Sequence, residues 1–498
     1  MNKSTDGFQW TEAAGLESGL PTLGAIQPQQ RITKPKHSFD VIVIGAGYAG
    51  LTAARDLTTS GHSVLLVEAR DRIGGRTWSS NLGGYPFELG GTWVHWNQPH
   101  IYREISRYNL QDDLENSHDL SGGINSFVLK EDGNTHNFTR AQEGELMSDL
   151  IGKLVNVDGA LGRKLMPMPG SPSLGKDEIF AKYDAMSLAD RIAQLDLTST
   201  DKAILEGFLS ITCGSKLEDA SFGEMLRWWA LNNYDMQLFM ELCLTYKFRS
   251  GQSNFARKFF DEALSTGRLD YAFRAVTRSV TDDGTSVTVT TGTDKFRAKR
   301  VVCTIPLNCL KDVSFSPPLH PLKLEASKLG HVNQVSKTHV ECANPELRSL
   351  SGTIARPYDK LTYIFGDGTT PAGNTHLVSF GSSLDGVHLQ AEDDVEDTKR
   401  AFRAFVPDNQ MDIKRVVFHN WSRDDFSKGA WEWLRPGMMS RKPYLDRLRE
   451  KQGNVHFASA DWAFLWRGFI DGGIEDGARV AMDVKTDLAR IAGRSSRL

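Results

Sequence analysis

The feature that most constrains this chain is an apolar strand that runs directly into a glycine-rich turn. Residues 41–44 read Val-Ile-Val-Ile, and Gly45, Gly47 and Gly50 follow with the spacing Gly-x-Gly-x-x-Gly. The first glycine permits a tight turn, the second lets a pyrophosphate approach the backbone, and the third lets the following helix pack on its strand. The positive N-terminal end of that helix favours a phosphate. The segment therefore predicts a dinucleotide site.

An acidic residue follows at the distance that such a site requires. A second apolar strand, residues 64–67, ends at Glu68. An acid about 20 residues beyond the last glycine commonly binds a ribose hydroxyl, and we expect Glu68 to take that role. The strand, turn, helix and second strand together predict an α/β fold with a Rossmann-like dinucleotide-binding domain.

Two further glycine pairs resemble those of a known family. The first lies between arginines in residues 68–76, and the second lies in residues 88–93, which read Glu-Leu-Gly-Gly-Thr-Trp. With the first motif they resemble the flavin-containing amine oxidases, and the resemblance covers nearly the whole chain. It implies FAD, with the arginine segment along the pyrophosphate and the second glycine pair against the isoalloxazine ring. The cofactor-binding residues implied here are Arg70, Gly75, Arg76, Gly90, Gly91 and Thr92.

The C-terminal part carries a second family motif. Residues 457–461 read Phe-Ala-Ser-Ala-Asp, and residues 469–473 read Phe-Ile-Asp-Gly-Gly at the start of a predicted helix. The resemblance implies that Asp461 binds the ribityl chain, that the helix begins at the flavin pyrimidine edge beside Ile470, and that Val276 meets the adenine. Packing explains the apolar stripe of this helix but not its glycines, which favour close approach of the cofactor. The stripe consists of Ile474, Ala478, Ala481, Val484, Leu488 and Ile491.

Two aromatic residues mark the predicted reaction site. By resemblance, Trp431 and Phe469 match the facing rings of the aromatic cage in monoamine oxidases, which orients an amine. Ala430 stands where covalent members have a cysteine that binds the flavin, so FAD is expected to be non-covalent. No cysteine lies near this segment in the sequence. This departure resembles the soluble monoamine oxidases of fungi.

A lysine completes the set of residues assigned to the reaction. In the predicted strand 335–340, alternation places Val335, Lys337 and His339 on one face. By resemblance, Lys337 holds a water beside the flavin and assists reoxidation by oxygen. Lys337, Trp431 and Phe469 are therefore the predicted catalytic residues.

The resemblance implies oxidation of a primary amine at its α-carbon, with the electrons passing to FAD and then to oxygen, which becomes hydrogen peroxide. Water converts the imine to an aldehyde and ammonia. An L-amino-acid oxidase, which needs a cation for the carboxylate, and a polyamine oxidase, which needs acids along a tunnel, stay open. So does a flavoprotein with a binding or electron-transfer role and little oxidase activity. Whether Trp93, Gln252 or Phe365 lines the pocket is also open.

The domains are predicted to interleave. Residues 1–37 form an N-terminal arm. Residues 38–115, 253–325 and 425–490 form the FAD-binding domain, a three-layer ββα unit, and residues 116–252 and 326–424 form a substrate domain of mixed sheet and helices. The tail, residues 491–498, ends in Ser-Arg-Leu, a variant of the peroxisomal signal, so an import receptor and a peroxisomal location are expected.

Composition and charge exclude several other classes. The chain has 498 residues and a net charge of −4, so no basic surface for nucleic acid is predicted. No apolar run approaches the ~20 residues of a membrane span, and we expect a soluble intracellular protein. The cysteines are odd in number and scattered, which favours free thiols and no metal. His95, His331 and His339 are interpreted as surface or packing residues. The oligomeric state, including a homo-oligomer, stays open.

Overall fold

The structure is a computed structural model of the whole chain. It describes residues 1–33, 39–117, 122–131, 133–171, 173–292, 294–355, 360–382, 389–406 and 410–495. The Ser-Arg-Leu signal at residues 496–498 lies outside these residues. No helix in the described ranges combines the length and the apolar character needed to cross a membrane.

The helices in the described ranges fall into two groups along the chain. Those up to residue 265 are α1 (Tyr48–Thr59), α2 (Pro99–Arg107), α3 (Arg140–Val155), α4 (Glu178–Asp184), α5 (Leu188–Ile192), α6 (Ser199–Cys213), α7 (Phe222–Leu231), α8 (Met236–Leu244) and α9 (Gln252–Ser265). Those that follow are α10 (Leu307–Leu310), α11 (Pro321–Leu329), α12 (Val395–Arg403), α13 (Tyr444–Arg449) and α14 (Ile470–Ser495).

The strands have two to ten residues. Those up to residue 139 are β1 (Phe8–Thr11), β2 (Gly15–Ser18), β3 (Gln30–Arg31), β4 (Phe39–Ile44), β5 (Val64–Val67), β6 (Ser79–Leu82), β7 (Tyr85–Glu88), β8 (Leu114–Asn116), β9 (Ser126–Glu131) and β10 (Asn134–Thr139). The others are β11 (Tyr246–Phe248), β12 (Leu269–Ala272), β13 (Thr277–Asp282), β14 (Val287–Thr291), β15 (Asp294–Cys303), β16 (Ser314–Ser316), β17 (Val335–Cys342), β18 (Ser351–Ile354), β19 (Leu361–Thr369), β20 (Thr375–Ser382), β21 (Ile413–Asn420) and β22 (Val455–Phe457).

One sheet contains the first glycine motif and confirms the Rossmann-like prediction. Its strands run in the order β16, β13, β14, β15, β4, β5, β12, β3, and β22 also pairs with β15. The central pairs, β15 with β4, β4 with β5 and β5 with β12, are parallel. Parallel strands covered on both faces are apolar throughout, which explains the uninterrupted runs at residues 41–44 and 64–67.

A second sheet carries the predicted lysine. Its strands run in the order β10, β9, β18, β19, β20, β17, β21, β1, β2, with α3 and α6 packed on it. Strand β17 lies between β20 and β21, and all eight of its residues are buried. Both faces of β17 are therefore covered, and Lys337 is an interior lysine.

The first 33 residues pair with both sheets. Strand β1 extends the second sheet by pairing with β21, while β3 pairs with β12 in the first sheet. The segment that the sequence predicted to be an arm thus forms backbone hydrogen bonds with both sheets.

Helix α14 packs along α1 and against the segment that precedes it in the chain, and these contacts explain one glycine each. A Cβ atom on Gly477 would lie 2.4 Å from the Ala49 carbonyl oxygen, and one on Gly472 would lie 2.2 Å from the Trp466 carbonyl oxygen. The expectation that packing would not account for the glycines is therefore wrong at these two positions. The predicted stripe is also one turn too long, because Ile491 is 37% exposed where α14 runs past the core.

Candidate active site

A cavity of about 650 Å³ is lined by residues from both sheets. It has the size of a ligand site. The predicted residues that line it are Gly45, Gly47, Glu68, Arg70, Gly75, Arg76, Gly90, Gly91, Thr92, Val276, Lys337, Ala430, Trp431, Phe469 and Ile470. Gly50 and Asp461 are absent from the lining and act from behind it.

The start of α1 forms one end of the cavity. Its N-cap, Gly47, has no side-chain cap, and the first turn contains no acidic residue. The amide groups of this turn are therefore available to an anionic ligand. A Cβ atom on Gly50 would lie 1.9 Å from the Gly45 carbonyl oxygen, and one on Gly75 would lie 3.1 Å from the Gly47 Cα. Only glycines keep this end open, and it fits a pyrophosphate.

Glu68 lines the cavity, and its predicted bond to a ribose stays a prediction. Its Oε2 accepts a hydrogen bond from the Ala46 amide at 2.6 Å, and its Oε1 accepts one from the Arg70 amide at 2.8 Å. Burial raises the pKa of this carboxyl group. The two amide bonds hold the carboxylate at the cavity wall.

Arg70 is held by acids that the sequence analysis did not foresee. Its guanidinium pairs with Asp6 at 3.0 Å and with Asp424 at 2.5 Å, and Asp424 also contacts His419 at 2.9 Å. Residues far apart in the chain thus fix the arginine beside the cavity. Arg70 lines the cavity with its guanidinium paired to two carboxylates, and its predicted contact with the pyrophosphate stays a prediction.

Arg76 joins the two family motifs. Its Nη2 lies 2.5 Å from an Asp461 oxygen, and its Nη1 donates to the Ala430 carbonyl oxygen at 2.8 Å. Asp461 also accepts a hydrogen bond from the Leu307 amide at 2.8 Å. The guanidinium lowers the pKa of Asp461 against the opposing effect of burial. Asp461 therefore positions Arg76 and the Ala430 loop.

Two cysteines line the cavity although neither is close to Ala430 in the sequence. They are Cys243 and Cys309. Burial raises the pKa of each thiol to about 12, which leaves both protonated and unreactive at neutral pH. Ala430 itself has no side chain that could bond to a flavin.

Lys337 is buried with its ammonium group at the cavity wall. Nζ donates to the Gly90 carbonyl oxygen at 3.0 Å and to Thr92 Oγ1, and it lies 4.8 Å from the Trp93 ring centroid. Because an ammonium has three N–H donors, one remains for a water or ligand in the cavity. Burial lowers the pKa of Lys337 to about 8.

The segment 88–92, which contains both acceptors of Lys337, is held by side chains that contact three of its carbonyl groups. His339 Nε2 contacts the Glu88 carbonyl oxygen at 2.8 Å, Trp421 Nε1 donates to that of Leu89 at 2.8 Å, and Gln252 Nε2 donates to that of Thr92 at 2.7 Å. Gln252 thus supports the wall from behind and does not line the cavity. The polar alternation in β17 was the one sequence signal for this arrangement.

His339, His376 and Asp367 form the single group among the described residues that has metal-ligand spacing. His339 Nδ1 lies 2.8 Å from His376 Nε2, and Lys247 Nζ lies 3.5 Å from Asp367 Oδ1. That ammonium neutralises the carboxylate, so the cluster contains its own cation. His95, His331 and His339 are all buried, which makes them packing residues and not surface residues.

The other end of the cavity is aromatic. Trp431 donates from Nε1 to the Thr212 carbonyl oxygen at 2.9 Å and meets Phe380 edge-on at 5.6 Å, while Phe469 packs on Trp228 at 4.6 Å. Apolar and aromatic residues complete this end: Trp93, Phe208, Ile211, Phe239, Met240, Leu244, Tyr363 and Phe365. Trp93 and Phe365 are thus lining residues.

The chain matches the family model for flavin containing amine oxidoreductases over residues 48–485. It belongs to this family. FAD is accordingly the cofactor, and the uncapped α1 terminus, the glycine walls and Arg76 are the groups that would hold it. The expected family membership is confirmed, whereas the fungal soluble type stays a prediction.

The proteins similar to this chain include both dehydrogenases and oxidases. It is 30% identical over 482 residues to pseudooxynicotine dehydrogenase of a Pseudomonas species, covering 96% of this chain and 93% of the relative. It is 28% identical to nicotine dehydrogenase of Pseudomonas putida, covering 98% and 99%. The fold is similar to wild-type putrescine oxidase bound to putrescine, with a TM-score of 0.72 and 21% identity over 90% of this chain and 99% of that chain.

Proposed function

We propose that this protein oxidises a monoamine that carries an apolar or aromatic body, and that it is a monoamine oxidase in this sense. The amine becomes an imine, which water hydrolyses to an aldehyde and ammonia, and oxygen becomes hydrogen peroxide. Bound FAD supplies the redox chemistry by accepting the electrons from the amine's α-carbon. The protein residues bind and orient the amine and exclude water.

The observation that carries this proposal is the chemistry of the cavity's aromatic end. Described lining residues on α6, α7, α8, β19 and β20 include no carboxylate and no guanidinium. The charged lining residues come from other segments: Glu68, Arg70, Arg76, Arg278, Asp312, Lys337, Asp425 and Lys428. A diamine would require an acid for its second ammonium, and an amino acid would require a cation for its carboxylate. Lys337 is the lining cation beside Trp93, and two of its three N–H donors are already used by Gly90 and Thr92. A substrate with one amine and an apolar remainder fits best.

Trp431 and Phe469 have the chemistry to orient such a substrate. An aliphatic amine has a pKa near that of lysine, ~10.4, and is charged in water. A dry aromatic site disfavours the ammonium form, so the neutral amine, which can be oxidised, becomes more accessible. The two rings would also hold the α-carbon towards the flavin.

A second candidate is an amine dehydrogenase that passes electrons to an acceptor other than oxygen. Two relatives are named dehydrogenases. Their names also concern nicotine and pseudooxynicotine, which carry an aromatic ring, in agreement with the proposed aromatic body, although neither is a primary amine. Both candidates share the amine step and differ in the acceptor.

One experiment separates these functions. The purified yellow protein is precipitated with acid to test whether FAD is released, and is then assayed with aryl-alkyl amines, L-amino acids and spermine. Amine-dependent peroxide with released FAD supports the oxidase, and dye reduction without oxygen uptake supports the dehydrogenase. Turnover of only amino acids or spermine would contradict the substrate class.

A further inference from the structure

Four charged side chains are buried together behind the aromatic end of the cavity. They are Glu224 and Arg227 on α7, Glu432 and Arg467, and each is at most 3% exposed. We call them the α7 cluster. None of them lines the cavity. Glu224 is paired with both guanidinium groups, while burial and the neighbouring Glu224 carboxylate raise the pKa of Glu432 well above its usual range.

The α7 cluster connects the two loops that carry the predicted cage rings. Glu432 follows Trp431 directly, and its Oε2 lies 3.3 Å from Arg467 Nε. Arg467 lies two residues before Phe469, and its Nη2 lies 2.6 Å from a Glu224 oxygen. Each ring is therefore at most two residues from a member of the cluster.

Arg227 ties the Phe469 loop to α7. Its Nε donates to Glu224 at 2.6 Å, its Nη1 donates to the Leu465 carbonyl oxygen at 2.5 Å, and its Nη2 donates to that of Arg467 at 3.1 Å. The next residue on α7, Trp228, packs against Phe469. The helix thus holds the loop by hydrogen bonds and the ring by contact.

The two loops also touch through their backbones. Gly468 has a φ of +84°, and a Cβ atom there would lie 2.9 Å from the Glu432 carbonyl oxygen. A larger residue would force the loops apart. The ion pairs and this glycine contact act on the same separation, which is the distance between the segments of Trp431 and Phe469.

A buried ion pair is a poor source of stability, because the desolvation of two charges cancels much of their attraction. The hydrogen bonds that Arg227 and Arg467 donate to Glu224 are directional and fix these three groups relative to one another. The 3.3 Å contact of Glu432 with Arg467 attaches the Trp431 segment to them. We infer that the α7 cluster consists of positioning residues that set the relative placement of the Trp431 and Phe469 rings, and that this placement determines which amines are oxidised rapidly. The inference deepens the proposed function and rests on it for the substrate.

The test is Glu432→Gln, which keeps the side-chain shape and replaces the carboxyl group by an amide. The matched control is Glu104→Gln, because Glu104 is equally buried and is paired with Arg55, away from the cavity lining. Anaerobic bleaching of the flavin by an aryl-alkyl amine and by a short aliphatic amine is measured for both variants. Since a shift of about 1 Å can cost roughly 100-fold, we expect a 10- to 100-fold loss for the bulky amine in Glu432→Gln only.

A double-mutant cycle with Phe469→Ala distinguishes positioning from general destabilisation. If Glu432 acts through the ring, the effect of Glu432→Gln shrinks when the ring is absent, whereas the effect of Glu104→Gln adds to that of Phe469→Ala. Equal losses for both amines, or additive losses, would overturn the inference.

Crystal structures of the two FAD-loaded variants provide a readout independent of turnover. A displacement of either ring in Glu432→Gln but not in Glu104→Gln supports the inference, and unmoved rings overturn it. Failure of every amine to bleach the wild-type flavin would refute the proposed function and leave this structural comparison decisive. If Glu432→Gln does not fold, Arg467→Lys takes its place. If neither of these variants folds while Glu104→Gln does, the α7 cluster serves the stability of the fold and the inference is rejected.

Discussion

Replacing Lys337 with methionine removes a positive charge from the cavity wall while keeping a side chain of similar length. Nζ now donates to the Gly90 carbonyl oxygen and to Thr92, and its third N–H is available to the cavity. A positive charge there favours a step in which negative charge develops on oxygen. We therefore expect Lys337→Met to slow the reoxidation of the flavin by oxygen more than its reduction by the amine.

The magnitude follows from the burial of the ammonium. A unit charge about 5 Å from the reacting oxygen contributes about 3 kcal/mol at an effective dielectric constant of about 20. That energy corresponds to roughly two orders of magnitude in rate. Because burial lowers the pKa of Lys337 to about 8, the wild-type reoxidation rate should fall as the pH rises through 8, and the variant should lack this dependence.

Stopped-flow absorbance measures the two half-reactions separately. One mixing experiment follows flavin bleaching by the amine without oxygen, and the other follows the return of colour when oxygen is added. The matched control is Lys323→Met, because Lys323 is also buried, also has a pKa lowered by burial, to about 7, and donates to the carbonyl oxygens of Leu448 and Glu450 outside the cavity lining. Equal slowing of both half-reactions, or a normal reoxidation rate in Lys337→Met, would refute the reasoning.

Three further predictions concern stability and cofactor binding. Between pH 8 and pH 10.5 the unfolded state binds more protons at Lys337 than the folded state does. The free energy of unfolding of the wild type should therefore rise by about 3 kcal/mol over this range relative to that of Lys337→Met. A pH-independent difference between the two proteins in urea unfolding would contradict this. Gly50→Ala places a Cβ 1.9 Å from the Gly45 carbonyl oxygen, so it should lower the free energy of unfolding by about 1–3 kcal/mol and lower the FAD content. The control Gly152→Ala meets open space in α3 and should not destabilise the protein. Calorimetry measures the stability of both variants and flavin absorbance measures their FAD content. Asp461→Asn removes the negative charge that holds Arg76 and should weaken FAD binding by about 1.5–3 kcal/mol. Equilibrium dialysis measures the affinity, and an unchanged affinity would show that Asp461 has no role in FAD binding.

The sequence by itself determined the elements whose signals are local. A tight turn between a strand and a helix needs glycines at fixed spacing, so Gly45, Gly47 and Gly50 identified the first βα unit and the dinucleotide site without any long-range information. The same holds for Glu68, which follows directly on its strand. The apolar stripe of α14 was predicted one turn too long, because periodicity continues to Ile491 while the core ends at Leu488.

Only the tertiary structure decided which side chains meet. Arg70 is neutralised by Asp6 and Asp424, which lie 64 and 354 residues away in the chain, and no local pattern reports such a pairing. Strand alternation placed Lys337 on a face, but its burial depends on neighbours on both sides of β17. The proximity of Cys309 to the cavity and the α7 cluster behind Trp431 arise in the same way. Sequence spacing controls local backbone geometry, whereas burial and charge pairing depend on segments that folding brings together.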